Sequence, residues 1–445
     1  MNDASASAAS ASVLVIGAGP SGLAAAAQLA ARGIGYDHVE RHTGVGGLWD
    51  IDNPWTPMYE SAHFISSRRL SAIPGHPFPD DAADYPPRAE IHAYLRRLAE
   101  DTGVADRIRH GVEVVSVTPA RGGGFDVGTR PAGGGEETRT RYREVVCATG
   151  VLHTPKLPDL PGAEGFAGRY LHSAEYRSID ELRGRRVLVI GAGNSGCDIA
   201  CDAAQAGASA EISMRRGYWF IPKHILGRPA DEWMSGGPEL PVKLLQRGAA
   251  VALRLLVGDV TKLGLPKPDH LPFESHPLMN DQLIHHLRHG DVRVRGDVER
   301  FDADGVVFRD GTRGDYDVVI AATGYRHVVP VAAELFGDRP LEAAYLGMAH
   351  RDLPGLWCPG LIETNSGAFD AIGRQAAILA AVVDDRLRGD GRVAAAFEER
   401  AQHHRPDLSG GLRMLDLPRH EGYVDSHALQ RALAAEVAQT GAVVG

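Results

Sequence analysis

An α/β fold built from two parallel-sheet units is predicted by three observations: the length of the chain, and two separate copies of one strand–turn–helix pattern. At 445 residues the chain is too long for one ordinary core, so two or three domains are expected, with interior enough for a large planar ligand. "SVLVIGAGPSGLAAAAQLAARG" reads as a buried β-branched strand at 12–16, a glycine turn and an alanine-rich helix that stops at Gly33. "RRVLVIGAGNSGCDIACDAAQAG" repeats the plan from Arg185 to Gly207. Gly17, Gly19 and Gly22 in the first turn, and Gly191, Gly193 and Gly196 in the second, keep the GxGxxG spacing, with Pro20, Ser21, Asn194 and Ser195 opening the helices. The first glycine permits the turn, the second lets a pyrophosphate approach the backbone, and the third lets helix pack on strand. Phosphates then face a helix N-terminus. The reading is of two Rossmann-like dinucleotide-binding domains.

The strand after each of these helices separates the two ligands. In the first unit, "YDHVERH" ends a second strand at Glu40 and Arg41, at about the distance where an acid takes a ribose 2′-hydroxyl. In the second, "AEISMRRG" ends in Arg215 and Arg216, which suit a 2′-phosphate by charge and bidentate geometry. The first site fits FAD and the second NADPH.

Bulk properties exclude other classes. Lys and Arg total 47 against 57 Asp and Glu, a net charge of −10, and no basic block stands out to attract a nucleic-acid backbone. Cys147, Cys197, Cys201 and Cys358 form no CxxC pair, which fits a reducing cytoplasm and counts against a disulfide reductase. No apolar run is long enough for a transmembrane segment, and residues 1–10 read as a disordered tail.

Between the two turns stands "FAGRYLHSAEY", which places Phe166, Gly168, His172 and Tyr176 in the pattern FxGxxxHxxxY. With "GGLWD" at 46–50, "VVCATG" at 145–150, "VVIAATGY" at 318–325 and "GLIETNSGAFDAIGRQAA" at 360–377, the chain resembles the flavin-containing monooxygenases, class B flavoprotein oxygenases. The resemblance runs from about residue 12 to about residue 390. It implies an FAD domain of 11–165 and 318–445, with an NADPH domain of 166–317 inserted. It further implies that Gly47, Leu48, Trp49, Thr323, Gly324 and Gln375 lie at the cofactors. His172 would tie the joint between the domains, either in a catalytic role or as a buried structural histidine. The implied chemistry is reduction of FAD by NADPH, capture of O2 at the flavin C4a, and transfer of one oxygen from the (hydro)peroxide to a small-molecule substrate.

One departure from the family concerns an Asn that helps hold the flavin adduct. The ungapped match "MYESAHFISSRR" puts Ile65 at its position with Ser66 and Ser67 beside it; a serine hydroxyl either stands in for the amide or caps a turn. No metal is expected: His285 and His289 in "LIHHLRHG" read as the end of a helix before Gly290. Segment 222–275 has the composition of a lid. Within it "LLQRGAAVALRLLVG" at 244–258 is suited to lid packing, a homodimer face or a membrane surface. Tyr176 followed by Arg177 is nearer the N- or S-oxygenating pattern. Baeyer–Villiger or oxidative decarboxylation of a ketone or 2-oxo acid is the runner-up, and a non-oxygenating NADPH-dependent flavoprotein reductase is the alternative from another class.

Overall fold

The structure is a computed structural model, and it describes residues 12–234, 241–276, 278–417 and 422–445. The tail expected at 1–10 lies outside them.

The first sheet grows from the first glycine turn. Strand β1 (Val13–Ile16) is wholly buried, as its unbroken run of apolar residues requires of a central parallel strand, and it leads into α1 (Pro20–Ala31). Strands β2 (Tyr36–Glu40) and β3 (Ile108–His110) add on one side in parallel. Helix α2 (Arg88–Asp101) buries Ile91, Tyr94, Leu95 and Leu98 at helical spacing against this layer. Strand β4 (Glu144–Cys147) pairs with the other side of β1.

The second sheet repeats this geometry. It contains β5 (Arg169–His172), β6 (Arg186–Ile190) before helix α3 (Asn194–Gln205), and β7 (Ser209–Ser213). The lid-like segment comes next, with α4 (Ala230–Met234) and α5 (Val242–Val257), then α6 (Gln282–His289). Strands β8 (Val292–Arg295) and β9 (Val318–Ala321) complete the order β8-β7-β6-β9-β5, all parallel. The sequence pattern places the return to the first unit at residue 318. Strand β9 instead pairs with β6 and β5, so the crossing back falls after Ala321.

Beyond the crossing, β10 (Ala344–Tyr345), β11 (Ala349–His350) and β12 (Leu356–Trp357) extend the first sheet, with β12 parallel to β4. The long helix α7 (Ala368–Arg388) packs on α1, and α8 (Arg392–His403) and α9 (Ser426–Thr440) pack on α7. Leu23, Leu29, Ile378, Leu379 and Val382 are fully buried in this core. Among the described residues no helix is long and apolar enough to cross a membrane.

Candidate functional site

Close contacts explain the first glycine turn. Gly17 has φ of +101°, and a Cβ there would lie 2.6 Å from the Ala148 carbonyl oxygen of the neighbouring strand end. A Cβ on Gly22 would overlap the Gly17 oxygen at 1.8 Å. At Gly19 the nearest atom to an added Cβ is Gly47 Cα at 3.6 Å, so the N-terminus of α1 faces only the glycine backbone of the "GGLW" loop. Pro20 occupies the first helical turn, where no amide is needed. Ser21 packs against Gly360, which leaves no room for a side chain there. The second turn repeats the plan: Cβ atoms on Gly191 and Gly196 would meet Ala322 O at 2.6 Å and Gly191 O at 2.0 Å, while nothing lies within 4 Å of one on Gly193. Both helix starts are therefore open cradles of backbone amide that a side chain would fill, a fit for the two dinucleotide phosphates.

The strand-end residues differ as the sequence suggests. Glu40 is buried and accepts from Ala18 N at 2.6 Å and His42 N at 2.8 Å. Its oxygens hold the turn and keep lone pairs for a hydroxyl. Arg41 stacks over Trp55, 4.2 Å from the ring centroid. At the end of β7, Arg215 is exposed and Arg216 half-exposed, and neither guanidinium makes a hydrogen bond or salt bridge among the described residues. The carboxylate acting on Arg216 is that of Asp269. Asn194 at the start of α3 contacts His276 Nε2 at 3.2 Å, while its own buried Oδ1 has no partner among the described residues.

The "GGLW" loop is held from within. Gly46 N donates to Ala18 O at 2.9 Å and Asn53 Nδ2 to Gly47 O at 2.9 Å. Half-buried Leu48 accepts from Thr56, and Trp49 meets Phe64 edge-on at 5.1 Å.

The fingerprint Phe166–Tyr176 makes the joint. Phe166 packs edge-on to Phe301 at 5.1 Å and folds back over Gly168, where a Cβ would come within 2.5 Å of the Phe166 ring and 2.8 Å of Asp317 O. His172 is buried. Its Nε2 donates to Gly324 O at 3.1 Å and its Nδ1 accepts from Ala174 N at 3.1 Å, and burial lowers its pKa. Both nitrogens of a neutral ring are thus engaged by backbone. Thr323 and Gly324 belong to the same joint: Thr323 donates to Lys156 O, Lys156 N donates to Gly324 O at 2.9 Å, and Arg326 N donates to Thr154 O at 2.9 Å. Pro155 and Tyr325, just beyond the two "ATG" segments, thereby meet in a single antiparallel bridge.

Gln375 is fully buried, accepting from Gly360 N and donating to Leu346 O, each at 2.8 Å. It shapes the loop against Ser21, and its amide is engaged by protein on both sides. The two serines also part company. Ser66 Oγ lies 2.7 Å from Ser71 Oγ. Ser67 is fully buried, its amide donates to Asp231 Oδ2 at 2.6 Å, and its hydroxyl has no partner among the described residues.

Sequence reasoning missed a buried clamp across the joint. Asp198 and Asp202, one turn apart on α3, accept from the first unit. Tyr59 Oη donates to Asp198 Oδ2 at 3.0 Å, and Ser61 Oγ donates to Asp202 Oδ2 at 2.5 Å. Tyr176 of the fingerprint donates to Asp202 at 2.9 Å, and Asn280 Nδ2 to Asp198 at 2.9 Å. Burial raises both carboxyl pKa values, opposed at Asp198 by His63, Tyr59 and Lys223. Lys223 of the lid-like segment bonds His63, and burial lowers its pKa. The signal available was "CDIACDAA", two acids at helical spacing on an otherwise apolar face.

Two parallel sheets, each opening a helix through a GxGxxG cradle and joined through a fingerprint strand, define an oxidoreductase of the two-dinucleotide kind. A profile described as FMO-like, flavin-binding monooxygenase-like, matches residues 10–338, and the chain belongs to that family. The indole-3-pyruvate monooxygenase YUCCA1 of Oryza sativa subsp. japonica is 32% identical over 373 residues, 80% of this chain and 89% of that protein. Flavin-containing monooxygenase 5 of Homo sapiens is 32% identical over 340 residues, 72% of this chain and 62% of that protein. The crystal structure of cyclohexanone monooxygenase from Rhodococcus sp. Phi1 bound to NADP+ superposes with a TM-score of 0.71, covering 97% of this chain and 98% of that one. Its 19% identity makes this a likeness of fold. The protein is an FAD- and NADPH-dependent monooxygenase.

Proposed function

We propose that this enzyme oxygenates a soft nitrogen or sulfur centre in a small organic molecule, with the first cradle holding FAD and the second NADPH. In this reading the amides opening α1 and the backbone at Gly19 and Gly47 hold the flavin pyrophosphate, and Glu40 takes the ribose. Arg41, Leu48 and Trp49 wall the adenosine and flavin sides. Gly193, Asn194 and Ser195 take the coenzyme pyrophosphate, with Arg215 and Arg216 on its 2′-phosphate. The bound flavin supplies hydride acceptance and O2 activation. The chain's own part is placement and exclusion of water. His172, Thr323 and Gly324 fix the angle of the joint, Gln375 fixes the loop beside α1, and the Ser67 hydroxyl is the donor that stands in for the amide the family resemblance implies at Ile65.

The observation that carries the reading is the pair of open glycine cradles with an engaged acid at one strand end and, at the other, two arginines that make no hydrogen bond or salt bridge among the described residues. A second reading, oxidative decarboxylation of a 2-oxo acid, is favoured by the relatives named indole-3-pyruvate monooxygenases. One experiment separates them: purified enzyme with NADPH and air, offered matched panels of tertiary amines, sulfides and aryl 2-oxo acids, with products read by mass spectrometry. N-oxides or sulfoxides support the first reading. Release of CO2 with the one-carbon-shorter acid replaces it with the second. The four cysteines are buried and none is joined in a disulfide, which supports a reducing cytoplasmic setting.

A further inference from the structure

Helix α5 is inside out. Toward the body, buried Gln246 donates to Pro272 O at 3.0 Å, and Leu253 shares a small core with Tyr85, Ile221, Ala230 and Met279. On the opposite side Leu244, Val251 and Leu255 are 58%, 60% and 82% exposed, with Leu245 and Leu256 at 44% and 49%. At about 100° per residue, these five positions with Gly248 and Ala252 fill one arc facing away from Gln246. Lys243, Arg247 and Arg254 fall together on one flank of that arc, all exposed, and the helix contains no acid. A second feature of the same unit displays apolar surface. Leu226, 86% exposed, is held at φ of +49° at the tip of a hairpin. Its neighbour Ile225 packs on the small core that holds Leu253. A bulky side chain in the left-handed region is costly unless the display has a use.

We propose that this face of α5 lies in the headgroup plane of an anionic lipid bilayer and holds the enzyme at the membrane surface. The apolar arc enters the acyl boundary, and the cationic flank meets lipid phosphates. Charge decides against a second copy as the occupant. A two-fold contact opposes the face to itself, and the helix offers no acid to answer its own three cations. Arg254 acts on the Asp259 carboxylate and lies over Trp219, 5.9 Å from its ring centroid, and a chain of net charge −10 that still concentrates Lys243 and Arg247 beside an apolar arc is matched to an anionic surface.

The test is co-sedimentation of the full-length, flavin-loaded enzyme with phosphatidylcholine vesicles and with vesicles half phosphatidylglycerol. Partition onto the anionic vesicles is expected to exceed that onto the neutral ones by at least about tenfold. Each cation removed is expected to lower it roughly fivefold. Lys243→Gln with Arg247→Gln tests the flank, and Val251→Glu with Leu255→Glu tests the arc. Both variants should keep full flavin absorbance and NADPH turnover, which excludes misfolding as the cause of lost binding. Equal partition onto both vesicle types, or none, overturns the proposal. So does sedimentation equilibrium showing a wild-type dimer that Val251→Glu with Leu255→Glu converts to monomer, since the face then belongs to a second copy.

Discussion

His38 supports the first turn from beneath, its Nε2 donating to Gly17 O at 2.9 Å in a fully buried position. Burial lowers its pKa to about 4. In the unfolded chain the ring takes a proton near pH 6.5, while the folded protein resists protonation until about pH 4. The unfolded state therefore binds more protons across this window, and stability falls as pH is lowered through it, by about 1.4 kcal/mol per pH unit. His172, lowered in the same direction, adds to the loss. Urea midpoints measured from pH 7 to pH 5 should drop steeply in wild type and less steeply in His38→Gln, which keeps a donor for Gly17; parallel slopes would contradict this. Ser67 gives a second prediction at this scale. Its buried hydroxyl is unengaged whereas that of Ser66 is tied to Ser71. Ser67→Ala should therefore raise H2O2 release during NADPH oxidation without substrate several-fold, with Ser66→Ala changing it little. The reverse order would place the donor at Ser66. The sequence brought both serines to notice, but only packing distinguishes them.

Between elements, the fingerprint works as a steric and polar joint. Gly168→Ala would drive a methyl into the Phe166 ring and the Asp317 carbonyl, and overpacking of this kind costs about 1–3 kcal/mol. Thermal denaturation should show that loss, and an unchanged melting temperature would mean that the joint yields easily. Asp202→Ala leaves the fully buried Tyr176 hydroxyl without its acceptor, and a buried unsatisfied group costs about 1–3 kcal/mol, whereas exposed Ser61 can turn to water. The glycine turns and the fingerprint were legible in the sequence because their constraints act within a few residues. The Asp198 and Asp202 clamp was not, since its tyrosine and serine partners lie 139 and 141 positions away. The placement of β9 was misread for the same reason: only its pairing with β5 and β6 shows which sheet it joins.

Across the whole molecule, the role proposed for charge in coenzyme choice makes a prediction. Arg215 and Arg216 follow the end of β7 with no hydrogen bond or salt bridge among the described residues, and one charge-assisted contact to phosphate is worth about 1.5–3 kcal/mol, with each 1.4 kcal/mol a factor of ten. NADPH should be preferred over NADH by at least about tenfold in kcat/KM, mostly through KM, because the 2′-phosphate lies far from the hydride. Arg215→Ala or Arg216→Ala should erase most of that preference while sparing NADH, and added salt should weaken NADPH use selectively. Equal use of both coenzymes by wild type would remove the role assigned to the arginine pair. The fold class could be read from two repeated motifs because each specifies its own βα unit. What each cradle excludes, and how the two are clamped, emerged only with the chain folded.

The central claim is that two clamped dinucleotide units deliver one atom of O2 to an organic substrate at the expense of NADPH. Turnover of an accepted amine, sulfide or 2-oxo acid under 18O2 tests it most directly, with NADPH consumption and product mass read together. Each product molecule should carry one 18O atom, one NADPH should be oxidised per product under coupled conditions, and no product should form without O2. Product carrying only solvent oxygen, or formation at an equal rate under argon with an artificial electron acceptor, would contradict it.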